Sequence, residues 1–183
     1  MTKRSKPLVG FAGLSRVGKD TAARVLIQHL GYVRESFAAP IRQFVAHILG
    51  WSLAELEARK EEHIDWLGTT PRRMMQTVGT EWGRIGVNDR IWVNRVMRAA
   101  KDNRIFRNAP TVITDVRFDN EAETIRAAGG VVIHIVRPDA LKTSAHVSEA
   151  GVTRHPGDDV LLNDCPQAEY EERVLALVSS LCA

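Results

Sequence analysis

The chain has 183 residues, 44% hydrophobic and 26% charged, which predicts one soluble domain with a full core. No apolar run approaches the length of a membrane span, so a helical membrane protein is excluded. The formal net charge is +3, with 25 Lys and Arg scattered among 22 Asp and Glu. That suits small anionic substrates first and a polynucleotide surface only second.

The basic start MTKRSKP has no apolar signal core behind it, because Gly10, Gly13 and Arg16 interrupt, and the expected location is the cytoplasm. Leu8 to Ala12 is a short apolar run that predicts a buried strand. After it come Gly13, then Leu14, Ser15, Arg16 and Val17, then Gly18 and Lys19, and a helical pattern from Thr21 to Ile27. Strand, glycine loop and helix in that order form the setting of a phosphate-binding P-loop. Glycines let successive N–H groups turn toward one anion, and the helix N-terminus adds partial positive charge. Lys19 would reach the β- and γ-phosphates. The hydroxyl residue that usually follows the lysine and binds Mg²⁺ is replaced by Asp20, with Thr21 next. A carboxylate can hold the metal directly or through water.

Gly31 ends the first helix, and Tyr32 to Phe37 predicts a second strand. Pro40 sits near the first turn of a helix running to about Leu49. Ser52 and Glu55 form a capping box for a charged, solvated helix over 53–66. Thr70 and Pro71 open the next helix. At roughly 100° per residue, Arg72, Arg73, Gln76, Thr77, Thr80, Glu81 and Arg84 fall on one half of it. Met74, Met75, Val78, Trp82 and Ile85 fall on the other, which is expected to pack. Guanidiniums donate parallel hydrogen bonds to phosphate, while glutamine and threonine suit a base or sugar edge. Asn88 and Asp89 cap a further helix with a core stripe of Trp92, Val93, Val96, Met97 and Ala100, followed by a polar loop over 101–109.

Thr111 to Asp115 is a β-branched strand ending in an acid, at the carboxyl edge where ligands gather in a doubly wound sheet. Arg117 follows, then a helix over 119–128 closed by Gly129 and Gly130. The strand Val131 to Val136 delivers Arg137 to the same edge. Residues 139–158 read as a long connection of the kind that forms lids, carrying His146, Ser148, Glu149, Arg154 and His155. Val160 to Leu162 is a last strand, and an amphipathic helix ends the chain. The cysteines, Cys165 and Cys182, are too few and too widely spaced for a zinc site, and are read as plain small side chains rather than a disulfide.

GLSRVGKDT, PRRMMQTVGTEWGR, ITDVRFDNEAETIRAAGGVVIHIVRP, HVSE and LLND together resemble the successive motifs of the bacteriophage-type deoxynucleoside monophosphate kinases, from about Val9 to Val178. The lysine-aspartate-threonine loop is that family's own form, and Val17 stands where the family often has serine. The resemblance implies an α/β P-loop NTPase fold of the nucleoside monophosphate kinase kind: three layers around a five-stranded parallel sheet. It implies one kinase domain with a core over about 7–37 and 110–183, a helical monophosphate-binding region over about 38–105 and a lid over about 138–157.

The implied reaction is transfer of the γ-phosphoryl group of ATP to a deoxynucleoside monophosphate (dNMP), with Mg²⁺, giving dNDP and ADP. Gly13 to Thr21, Arg137 and Asn163 would bind ATP, with Asn163 and Asp164 bordering the adenine. Arg72, Arg73, Gln76, Thr80, Glu81, Arg84, Asp115 and Arg117 would hold the dNMP. Asp20 and Asp115 would hold the metal, and Lys19, Arg16, Arg117, Arg137 and Asp115 would act in catalysis. The alternatives are a dephospho-coenzyme A kinase-like or phosphomevalonate kinase-like enzyme, or a non-catalytic basic nucleic-acid-binding protein. Nucleotides are the expected partners, with no membrane, and a homodimer is left open.

Overall fold

Val9 to Ala12 form strand β1 at the centre of a five-stranded sheet in the computed structural model, which describes residues 6–140 and 151–181. Helix α1 (Lys19–Leu30) follows the glycine loop, then β2 (Val33–Glu35), α2 (Ala39–Leu49), α3 (Leu53–Ala58) and α4 (Pro71–Gln76). A π-helix over Thr77–Val87 continues α4, and α5 spans Ile91–Arg107. The chain closes with β3 (Thr111–Val116), α6 (Asp119–Ala127), β4 (Val131–Val136), β5 (Asp159–Leu162) and α7 (Gln167–Ser180). Among the described residues, no helix is long and apolar enough to cross a membrane.

All strand pairings are parallel, in the order β2-β3-β1-β4-β5. Such a sheet is covered on both faces, which is why β1 and most of β3 are buried throughout. Side chains alternate between the faces. Val9 and Phe11 join Leu26 of α1 and Tyr170 and Val174 of α7 in one core cluster. Gly10 faces the other way, against Ile125 of α6. The result is three layers. Fully burying one such aliphatic side chain stabilises by about 1.5–3 kcal/mol. The chain leaving β1 runs toward β2 and the chain leaving β4 toward β5, so the sheet's switch point, where ligand crevices form, lies between β1 and β4.

The chain divides into two compact units, Met1–Ser36 with Met97–Ala183, and Phe37–Val96. The first contains the sheet. The second has its own small core, in which Val45, Ala46 and Leu56 pack with Trp51, Met74, Met75 and Val78.

Three helical expectations change. The charged helix over 53–66 stops at Ala58, because Ile64 and Thr69 form an isolated bridge and Gly68 turns back onto Ile64 and Asp65. The polar loop expected over 101–109 is helix as far as Arg107, held at its buried Asn103 by Thr111 Oγ1 and Glu35 Oε1. Beyond Gln76 the backbone widens into π geometry, so the α-helical projection fails there. Trp82 and Ile85, expected to pack, are exposed, and the indole of Trp92 takes the packed position instead. It donates to Gly79 O at 2.8 Å and lies where a Cβ on Gly83 would come within 2.7 Å of the ring.

Candidate functional site

The glycine loop leaves the central strand at its carboxyl end. Gly13 has φ 132°, and a Cβ there would meet Ile135 O at 2.4 Å, so only glycine fits. Val17, between two turns of loop, is 1% exposed and anchors it in the core. Leu14 and Ser15 are half-buried. Arg16 is exposed at the tip with φ 63°, a left-handed conformation that costs an arginine of order 1–3 kcal/mol and that clusters at functional loops. Lys19 Nζ curls back to donate to the carbonyls of Gly13, at 2.8 Å, and Leu14. Thr21 follows, half-buried in the first turn of α1.

Two side chains from the far end of the chain reach this loop. Asn163 Nδ2 donates to Val17 O at 2.8 Å, and the buried Tyr170 hydroxyl donates to Gly18 O at 3.3 Å. Burial pushes the Tyr170 phenol up, so it stays a protonated donor.

Asp20 is exposed and paired with Arg34 of β2, whose guanidinium also donates to Thr114 Oγ1 at 3.3 Å. Asp115 accepts from the Ser36 hydroxyl at 2.8 Å. The register sets Ala12 beside Val116 on one side and His134 on the other. Gly13 and Arg117 therefore leave neighbouring strands at one level. They line a pocket of about 150 Å³ together with Leu14, Val116, His134, Gly151 and Val152. Glu121, 1% exposed, accepts from the backbone N–H groups of Arg117 at 2.7 Å and Phe118 at 3.1 Å, which fixes the turn that carries Arg117. Arg137 is exposed just past β4.

Behind the pocket, the buried Asp158 accepts from Arg126 Nε at 2.8 Å, Arg126 Nη2 at 2.6 Å, His134 Nε2 at 2.9 Å and the His155 N–H at 2.9 Å. Burial pushes the Asp158 carboxyl up, but the bonds from Arg126, His155 and His134 outweigh it and hold it well below the usual carboxylate range. The stretch expected to form a lid is described only in part: residues 141–150, with His146, Ser148 and Glu149, lie outside the described residues, as does Cys182. At the described side of that stretch, Thr153 is tied to Asp119 through its N–H at 2.7 Å and its hydroxyl at 3.0 Å. Cys165 is a free thiol.

In the second unit, the Thr70 side chain caps α4 and Pro71 occupies its first turn. Arg72 pairs with Glu61, and its N–H donates to Lys60 O at 2.8 Å. Arg73 pairs with Glu81 at 3.0 Å, and Arg84 donates to Asp89 O at 3.2 Å. Gln76 and Thr80 are half-buried beside them. The structure thus gathers Arg73 with Glu81, while Arg72 turns toward the segment before the helix. Among the described residues, Oε2 of Glu81 is buried without a hydrogen-bond partner.

Arg34, Ser36, Glu121 and Tyr170 carry site contacts that the sequence did not single out. Only Glu121 had a visible signal, since it stands three residues after Phe118 at a helix start, the spacing of a capping residue.

A family model described as "Deoxynucleotide monophosphate kinase" matches residues 68–174. A protein of Acanthamoeba polyphaga mimivirus bearing the same family's name is 32% identical over 94% of this chain and 96% of its own length. The "Deoxynucleoside-5'-monophosphate kinase" of Escherichia phage T5 is 36% identical over 79% of this chain and 84% of its own. Among solved structures, TT1252 from Thermus thermophilus is similar in fold, with TM-score 0.54 and 18% identity over 97% of this chain and 98% of that one. A sugar kinase from Janibacter sp. is likewise similar, with TM-score 0.52 and 16% identity over 95% of each chain.

Proposed function

The chain belongs to the deoxynucleotide monophosphate kinase family, and on that premise we infer that it transfers the γ-phosphoryl group of ATP to a deoxynucleoside 5′-monophosphate. A phosphate oxygen of the acceptor attacks the γ-phosphorus. The bond from that phosphorus to the β–γ bridging oxygen breaks, and ADP leaves with the electron pair. The acceptor is already ionised, so no general base is needed. Catalysis rests on positioning and charge stabilisation.

The observation that carries this reading is the loop from Gly13 to Lys19 on the central strand, with Arg117 level with it across β3. Gly13, Leu14, Ser15, Arg16, Val17, Gly18, Lys19, Asp20 and Thr21 would hold the triphosphate. Lys19 would exchange its contacts with the Gly13 and Leu14 carbonyls for phosphate oxygens. Arg16, Arg117 and Arg137 would balance the charge that spreads over the transferring group. Arg72, Arg73, Gln76, Thr80, Glu81 and Arg84 would take the acceptor nucleotide. The buried Oε2 of Glu81, without a partner among the described residues, supports this, because a sugar hydroxyl or a base N–H would satisfy it.

Mg²⁺ fits the donors present. Asp20 and Asp115 offer hard carboxylate oxygens, the donor type for an ion bound by one or two carboxylates and, for the rest, by phosphate and water. It would draw charge from the phosphate oxygens. Asp20 would then share or yield its Arg34 partner. The expected setting is the cytoplasm, the host's if the chain is encoded by a phage.

A coupled assay of ADP release across the four common deoxynucleoside monophosphates, their ribonucleotide counterparts, dephospho-coenzyme A and phosphomevalonate tests the reading. ADP release with at least one deoxynucleotide is expected. Release only with the last two acceptors, or with none, would overturn it.

A further inference from the structure

We propose that Asn163 is a positioning residue for the triphosphate, orienting the phosphate-loop backbone from the core side. The inference rests on ATP being the donor. It gives Asn163 a different task from bordering the adenine.

Asn163 stands just beyond β5, where its own N–H donates to Val136 O at 2.8 Å and so fixes its main chain. From that anchor its amide Nδ2 reaches Val17 O at 2.8 Å. A trans peptide is planar, and its C=O and N–H point in opposite directions. Val17 O and the Gly18 N–H belong to one peptide. Drawing the carbonyl toward Asn163 therefore turns the Gly18 N–H away from it. The next peptide is held in the same sense: Gly18 O accepts from the Tyr170 hydroxyl at 3.3 Å and from the Ala22 N–H at 3.0 Å, which turns the Lys19 N–H away from α7.

Gly18 has φ 109°, and a Cβ there would stand 2.6 Å from Asn163 Nδ2 and 3.2 Å from the Tyr170 ring. The close approach of these two side chains and the glycine at position 18 are thus one requirement. Tyr170 is 1% exposed and shares its acceptor with a helix N–H. Among the described residues Asn163 Nδ2 makes the shorter bond, to an acceptor it does not share with a helix N–H, so the larger effect is assigned to Asn163.

The test is the affinity of Asn163→Ala, Asn163→Asp and Tyr170→Phe for ATP, measured by calorimetry without acceptor, together with KM for the dNMP and melting temperature. Asn163→Ala should weaken ATP about tenfold and leave the dNMP KM within about twofold. Asn163→Asp has nearly the same volume but sets a carboxylate against Val17 O, and should weaken ATP at least as much. Tyr170→Phe should weaken it about twofold to threefold. In the unmutated protein, the nitrogen-15 resonance of the Gly18 amide should move when ADP is added, a measurement that needs no variant to fold.

ATP affinity within about twofold of the unmutated protein in the Asn163 variants would overturn the proposal. So would equal rises in both KM values that follow a fall in melting temperature, or a Gly18 amide that ADP leaves unmoved. If the unmutated protein binds ATP yet phosphorylates no dNMP, the functional reading fails while the role of Asn163 is still decided by these affinities.

Discussion

The phosphate loop and the arginine-bearing helix offer groups for anions by opposite means. In the loop the donors belong to the main chain, and their directions are set by carbonyls tied down at Val17 and Gly18 and by a glycine that no Cβ could replace at position 13. In the helix the charged donors are long side chains that already have protein partners: Arg72 has Glu61, Arg73 has Glu81, and Arg84 has Asp89 O. Main-chain donors keep their directions before a ligand comes, and in the loop it is the Lys19 side chain that must trade carbonyl partners. A side-chain site must trade partners when its ligand comes, and because exposed pairs are worth only about 0.2–1 kcal/mol, the trade is cheap. The first arrangement suits a triphosphate common to every turnover. The second suits an acceptor that must be accommodated and released.

The sharpest way to break this contrast is Lys19→Ala. Turnover should fall about a thousandfold or more while circular dichroism and melting stay near those of the unmutated protein, because the Lys19 ammonium is seated on carbonyls of an exposed loop and not in the core. Near-normal turnover would remove the loop from the reaction.

Next in size is Asp158→Ala, which breaks a buried pair and strands Arg126, at about 3 kcal/mol in urea unfolding. Its sign with pH is fixed. The folded carboxyl titrates below the unfolded one, so its contribution is fully present above about pH 4, the unfolded value, and is lost as pH falls through the folded value. The stability difference between the unmutated protein and Asp158→Asn should therefore be level above about pH 4 and shrink below it. A difference that grew toward acid would refute the assignment.

The smallest effects sharpen the other side of the contrast. Arg72→Ala should raise the dNMP KM about tenfold, the loss of one charge-assisted bond, and leave that for ATP within about twofold. Glu61→Ala, which only releases Arg72, should change the dNMP KM by less than about twofold. A large rise in Glu61→Ala would mean that the pair holds Arg72 in place rather than lending it.

The same division explains what could be read from the amino acids alone. The loop, the strand β1 and the ends of β3 and β4 were legible because each depends on short-range signals: apolar runs, glycine spacing and a strand that stops at a charge; the parallel sheet came through the family resemblance. The π-helix was not, since a projection at a fixed angle assumes the backbone that the tertiary packing changes. Its trace is the trio Gly79, Gly83 and Gly86 together with Trp92, a bulky ring that needs room at Gly83 and an acceptor at Gly79 O. Nor could the partners of Asp20, Asp115 and Val17 be foreseen. Arg34, Ser36 and Asn163 reach them only once β2 and β5 have taken their places in the sheet.

The indole of Trp92 seated against Gly83 makes the wide turn of the π-helix depend on a wedge. Whittling that wedge to leucine would remove both its bulk and its N–H, and allow the segment to rewind more tightly. Each residue after Gln76 would then swing around the axis by a growing angle, carrying Thr80, Glu81 and Arg84 out of step with Arg72 and Arg73. One ring outside the row of polar side chains would thereby be the gauge of their spacing.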